Sequence, residues 1–172
     1  MHLIIDGYNL LHADRSLITP NDLQLQRERD RLIDQLSTYQ QRKSFGMTVV
    51  FDGWLGGRTT EKRERKKGVE VVFSKLGEKA DEVIKRMIRE KGSGAIVISS
   101  DREIIGFAQR MAVSVISSEQ FREKLEIPFN TGKEVFIEEE EEEEEERRGK
   151  KKGLARRLSK KEKRARAALR KL

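Results

Sequence analysis

Asp6 closes the apolar run Leu3-Ile4-Ile5, Asp52 closes Thr48-Val49-Val50-Phe51, Asp101 follows the run from Ala95 to Ser100, and Asp81 opens an amphipathic stretch. Crowded carboxylates repel one another, so a cluster of them is stable chiefly when a cation sits between them. Mg²⁺ or Mn²⁺ held by such oxygens can activate water, neutralise phosphate charge and stabilise a leaving oxygen, the three requirements of phosphodiester hydrolysis. Each acid alone has a plainer explanation. Asp81 and Asp101 read singly as helix N-caps, and Asp52-Gly53 is also a turn signal. Asp6 is harder to explain away, because a carboxylate directly after a buried strand is costly unless paired or bound to metal. As a set, Asp6, Asp52, Asp81 and Asp101 point to a metal site.

Near these acids, Asn9 can orient a water or hold its loop through local hydrogen bonds, and Ser99 and Ser100 can bond either a phosphate or the N-terminus of the next helix. Glu78 and Glu82 flank Asp81 and would extend the acidic cluster, although position 82 points away from 81 on a helix. The basic residues Arg58, Lys62, Arg63, Arg65, Lys66 and Lys67 are expected in a loop after the second strand, on the same edge as the acids, where they would contact a nucleic-acid backbone. Tyr8 and Trp54 suit stacking on unpaired bases or ordinary packing.

The elements that must position these residues alternate. Short apolar runs at residues 3–5, 47–51, 69–73, 95–98 and 113–116 read as strands. Between and after them, helical spacing recurs from Asn21 to about Lys43, from Ala80 to Gly92, over Ile104 to Met111 and over Ser118 to Leu125. Alternation of this kind predicts an α/β fold with a parallel sheet of about five strands between two helical layers. The expected strand order is 3-2-1-4-5, with the acids at the carboxyl ends where such sheets bind ligands.

The charge is unevenly distributed. The 172-residue chain carries a formal charge of +7, but residues 138–146 are nine consecutive glutamates, and residues 147–172 hold 14 Lys or Arg against the single acid Glu162. We therefore expect a domain over residues 1–130, an acidic linker over 131–146 and a basic tail over 147–172, helical or disordered. That tail, including Lys150, Lys151, Lys152, Arg156 and Arg157, is suited to a polyanion such as RNA. The glutamate run is expected either to mask the tail at low salt or to serve as a solubilising linker. Cysteine is absent, which excludes disulfide-linked partners and Cys-ligated metals, and the two histidines are His2 and His12. No apolar stretch is long enough to span a membrane, and a soluble cytoplasmic protein is expected.

The segments Leu3-Ile4-Ile5-Asp6-Gly7-Tyr8-Asn9-Leu10-Leu11, Val50-Phe51-Asp52-Gly53, Val72-Phe73-Ser74 with Gly77-Glu78-Lys79-Ala80-Asp81-Glu82, and Ser99-Ser100-Asp101-Arg102-Glu103 together resemble the YacP-like branch of the NYN-domain family. The resemblance covers residues 1 to about 127. It implies a three-layer PIN-like fold and a metal-dependent endoribonuclease using Mg²⁺ or Mn²⁺. It also implies that Asp6, Asp81 and Asp101 occupy the catalytic, metal-binding positions, with Asn9 and Asp52 in support. Relatives of this branch look like nucleases acting on mRNA at the ribosome, so mRNA, ribosomal RNA and the ribosome become candidate partners.

Two functions of different class follow. In one, the chain cuts RNA at the acids. In the other, it is a non-catalytic RNA- or ribosome-binding protein on the same fold, its acids structural and its basic tail responsible for the activity. A phosphatase of the haloacid-dehalogenase type is set aside, because it needs a second acid two residues after the first and position 8 is Tyr.

Overall fold

The structure, a computed structural model, describes residues 1–13, 22–43, 45–53, 59–126 and 160–170. Six strands, β1 (His2–Asp6), β2 (Gly46–Phe51), β3 (Lys62–Lys66), β4 (Val69–Phe73), β5 (Ala95–Ile98) and β6 (Ser114–Ile116), form one sheet in the order β3-β4-β2-β1-β5-β6. The described helices are α1 (Gly7–His12), α2 (Asp22–Arg42), α3 (Ala80–Lys91), α4 (Arg102–Arg110), α5 (Ser118–Glu126) and α6 (Lys160–Leu169).

Alternation along each strand sorts side chains to opposite faces. Leu3, Ile5, Met47, Val49, Phe51, Val71, Ile96 and Ile98 pack under α1, α2, α5 and α6. Ile4, Val50, Val72 and Val97 pack under α3 and α4 through Val83, Ile84, Met87, Ile88, Ile104 and Ala108. Both faces are thus covered, and the central strands read as continuous apolar runs for that reason.

The five parallel strands stand in the order the sequence predicts. A sixth was not expected. Lys62–Lys66 pairs antiparallel with β4, so the basic stretch is a strand and not a loop. The two strands join through Lys67 and Gly68, both at positive φ, the backbone that a tight two-residue hairpin requires. Its sequence Lys-Arg-Glu-Arg-Lys carries no apolar alternation because it is an edge strand, where charge discourages pairing with other chains. The antiparallel run also takes it away from the acids: Lys62 lies opposite Phe73 at the carboxyl end of β4, whereas Lys66 lies opposite Val69 at the other end.

The described part of the basic tail is not a free extension. Helix α6 packs on β6, with Ala168 buried in the first core and Leu169 against it. The glutamate run, Lys150–Lys152, Arg156 and Arg157 lie outside the described residues, as do Trp54 and Arg58.

Candidate active site

The carboxyl ends of β1, β2 and β5 and the start of α3 carry the four aspartates, and three of them are held as helix caps. Asp6 ends β1 and caps α1, its Oδ1 accepting the Asn9 N–H at 3.1 Å. Asp101 caps α4, its Oδ1 accepting from the N–H groups of Glu103 at 2.7 Å and Ile104 at 3.1 Å. Asp52 caps a helix it does not belong to: its Oδ1 accepts the Ala80 N–H of α3 at 2.7 Å. The nominal N-cap of α3, Lys79, makes no side-chain cap bond. Asp81 follows in the first turn of α3, half-buried, and accepts no hydrogen bond among the described residues.

Capping accounts for one oxygen on each of three acids. Among the described residues only Asp6 has its other oxygen engaged, by the Ser99 hydroxyl, which donates to Oδ2 at 3.1 Å. The same hydroxyl accepts the Asp101 N–H at 3.1 Å, so fully buried Ser99 ties the first acid to the last. Asn9 works as a brace: its Oδ1 accepts from the Ser100 N–H at 2.9 Å and from the Ser118 hydroxyl at 2.7 Å, joining α1, the end of β5 and α5. The Ser100 hydroxyl accepts the Ser118 N–H at 3.0 Å and donates to Glu119 at 2.6 Å, so it serves the N-terminus of α5 and not that of α4.

The acids act on one another through charge. Burial pushes the Asp6 carboxyl up to about 6; the Asn9 amide and the Ser99 hydroxyl oppose this, and the charges of Asp81 and Asp101 add to it. Asp81 is raised by burial and next by Asp101, with Asp52 and Glu103 adding and Lys85 opposing. Convergence stops short of a finished coordination shell, since among the described residues no three acidic or imidazole groups stand close enough to hold one ion.

Glu78 and Glu82 do not extend the cluster. Glu78 pairs with Arg86 at 2.7 Å, and Glu82 pairs with Lys85 at 2.9 Å. Lys85 is a residue the sequence reading missed: its side chain is buried and its ammonium also meets Glu103, joining the helices of Asp81 and Asp101. Its position one turn after Asp81 was the available signal. Tyr8 packs edge-on against Phe51, with ring centres 5.3 Å apart, which favours packing over base stacking. The hairpin cations are engaged as well: Lys62 with Glu64, Arg63 with Glu61 and Glu70, Lys66 with Asp30, Lys67 with Asp34, and Arg65 with the Gly68 carbonyl.

A family model described as the YacP-like NYN domain matches residues 3–171. The chain belongs to the YacP-like NYN domain family. The match runs well past residue 127, where the resemblance read from motifs stops, and takes in α6. An uncharacterized Bacillus subtilis (strain 168) protein, YacP, is 35% identical over 85 residues, an alignment that spans 49% of this chain and 49% of the relative. This chain therefore aligns with about half the length of that curated relative. Two crystal structures of Rae1 (YacP) from Bacillus subtilis share the NYN fold. A mutant form superposes with a TM-score of 0.61 at 25% identity, covering 73% of this chain and 74% of that one. The other has a TM-score of 0.60 at 26% identity, covering 87% and 84%. Membership in the NYN family suggests a hydrolase of nuclease type. Among the described residues no helix is long and apolar enough to cross a membrane.

Proposed function

We propose that this NYN domain is a divalent-metal-dependent endoribonuclease that hydrolyses RNA phosphodiester bonds at the crevice of Asp6, Asp52, Asp81 and Asp101, with mRNA on or near the ribosome as substrate and the cytoplasm as its compartment. The observation that carries this reading is the placement of Asp6, Asp52, Asp81 and Asp101 at the carboxyl edge of a parallel sheet, with buried Ser99 tying Asp6 to Asp101. A carboxyl that burial raises to about 6, with Asp81 and Asp101 adding to the push, is one whose ionised form a cation would settle.

The donor set fits a hard cation, for it offers oxygen ligands alone. Mg²⁺ commonly takes one or two protein carboxylates and keeps several waters, so the spacing of these acids does not disqualify them. Asp6, Asp81 and Asp101 would hold the ion, one or two of them directly and the rest through its waters, supported by Asp52. When bound, Mg²⁺ or Mn²⁺ supplies neutralisation of phosphate charge and a lowered pKa for coordinated water. The residues do the rest. Ser99 and Asn9 fix Asp6 relative to Asp101, and Asp52 and Lys85 fix α3, the helix that carries Asp81.

The non-catalytic reading has one observation in its favour: α6 presents exposed Lys163, Arg164 and Arg166 from a docked helix. The two are separated by comparing Asp101→Asn with removal of residues 147–172. The nuclease reading requires cutting to vanish in Asp101→Asn while RNA binding persists. Persistence of all activity in Asp101→Asn, with loss on truncation, contradicts it.

A further inference from the structure

The loop from Ser74 to Lys79 joins β4 to α3 at the carboxyl edge of the sheet, and Asp81 lies two residues beyond it. It is braced from below. The Ser74 N–H donates to the Phe51 carbonyl at 3.0 Å, and the Ser74 hydroxyl accepts the Gly53 N–H at 3.0 Å. A Cβ on Gly53 would stand 1.8 Å from the Ser74 carbonyl oxygen, so the glycine after Asp52 is required by this close approach of two backbones. The Glu78 N–H closes a turn on the Lys75 carbonyl at 3.0 Å around Gly77, whose φ is +81°. Glu78 itself is tied to Arg86.

What this braced loop presents outward is unpartnered among the described residues. Lys75 and Lys79 are exposed, and neither ammonium has a partner among the described residues. Leu76 between them is 56% exposed, one of four large apolar side chains so placed among the described residues. Lys79 stands at the N-terminus of α3, where the helix dipole disfavours a cation. The hairpin cations offer the contrast, since four of the five described ones are already paired with acids. Two cations with no partner among the described residues, around an apolar tip on a braced loop leading into an acidic crevice, match a polyanion whose backbone needs charge and whose bases need an apolar contact.

We infer that the Ser74–Lys79 loop is the RNA-contacting loop of this domain: Lys75 and Lys79 each take a backbone phosphate beside the crevice, and Leu76 packs on a base. The inference rests on the nuclease reading for its substrate, yet it is tested without cleavage. The full chain is titrated against fluorescently labelled single-stranded RNA in EDTA over a range of salt concentrations, as wild type, Lys75→Gln/Lys79→Gln, Leu76→Ser, and Lys66→Gln/Lys67→Gln on the hairpin. Thermal melting checks that each variant is folded.

Each lost phosphate contact on a single strand lowers the salt slope by about 0.7. The loop double variant is expected to lose about 1.4 of slope and at least about tenfold in affinity at low salt. Leu76→Ser is expected to weaken binding with the slope unchanged, and the hairpin variant to keep the wild-type slope. A loop double variant with the wild-type slope and affinity overturns the inference, and so does a hairpin variant that loses as much as the loop variant. Neither result touches the nuclease reading, which depends on metal-dependent cutting that Asp6→Asn abolishes.

Discussion

Asp52, the residue just after β2, caps α3 by accepting the Ala80 N–H at 2.7 Å, across 28 residues of sequence. A carboxylate at the end of one strand thereby fixes the helix that carries Asp81. Asp52→Ala should cost about 1 kcal/mol of stability in denaturant unfolding, the usual value of a lost cap, and should lower cleavage through the drift of Asp81. Asp52→Asn keeps an oxygen acceptor, so its stability should stay near wild type. Equal destabilisation by both variants would show that the carboxylate charge, and not the cap bond, matters for folding.

The raised pKa of Asp6 has a sign that can be read in solution. Its folded value of about 6 lies above the ordinary 3.8, so the protonated form is favoured by folding. Its stabilising contribution is complete below about pH 3.8 and is lost as pH rises through about 6. At pH 7 without metal the ionised carboxylate then costs on the order of 3 kcal/mol. Asp6→Asn should therefore melt higher than wild type at pH 7 in EDTA, with the difference shrinking toward pH 4. Mg²⁺ should raise the wild-type melting temperature more at pH 7 than at pH 5, and a metal effect independent of pH would contradict this.

Lys85 opposes the upward push on Asp81 and joins α3 to α4 through Glu103. In Lys85→Met the acidic limb of the pH–rate profile should move toward higher pH, because Asp81 becomes harder to ionise. Lys85→Arg, which keeps the charge, should restore much of the wild-type profile. An unshifted limb in Lys85→Met would reduce Lys85 to a structural ion pair.

Much of the fold was legible because the five parallel strands are apolar on both faces and the helices between them keep a helical period. Hairpin strand β3 was not, since Lys62–Lys66 has no apolar alternation and its pairing depends on a turn at Lys67-Gly68. Helix α1 was missed as well: Gly7–His12 is too short for a helical period to emerge. The acids stood out as strand-end residues, whereas the contacts that bring them together join residues far apart in the chain. Ser99 meets Asp6 across 93 positions and Ser118 meets Asn9 across 109. The docking of α6 was hidden because Ala168 and Leu169 are its main buried contacts among many cations.

That docking makes its own prediction. Ala168→Asp places a charge in the core beside β6, and α6 should come away, so trypsin should cut within the Lys163–Arg170 segment much faster than in wild type while the rest of the domain resists. Ala168→Ser should change the rate little. Equal rates for Ala168→Asp and wild type would mean that α6 does not depend on this contact.

The most direct measurement is cleavage of labelled single-stranded and structured RNAs by wild type and Asp6→Asn, in Mn²⁺, Mg²⁺ or EDTA, with and without purified ribosomes. The account predicts cutting by wild type in the presence of metal, none in EDTA and none by Asp6→Asn. RNA binding without cutting under every condition, ribosomes included, would contradict it.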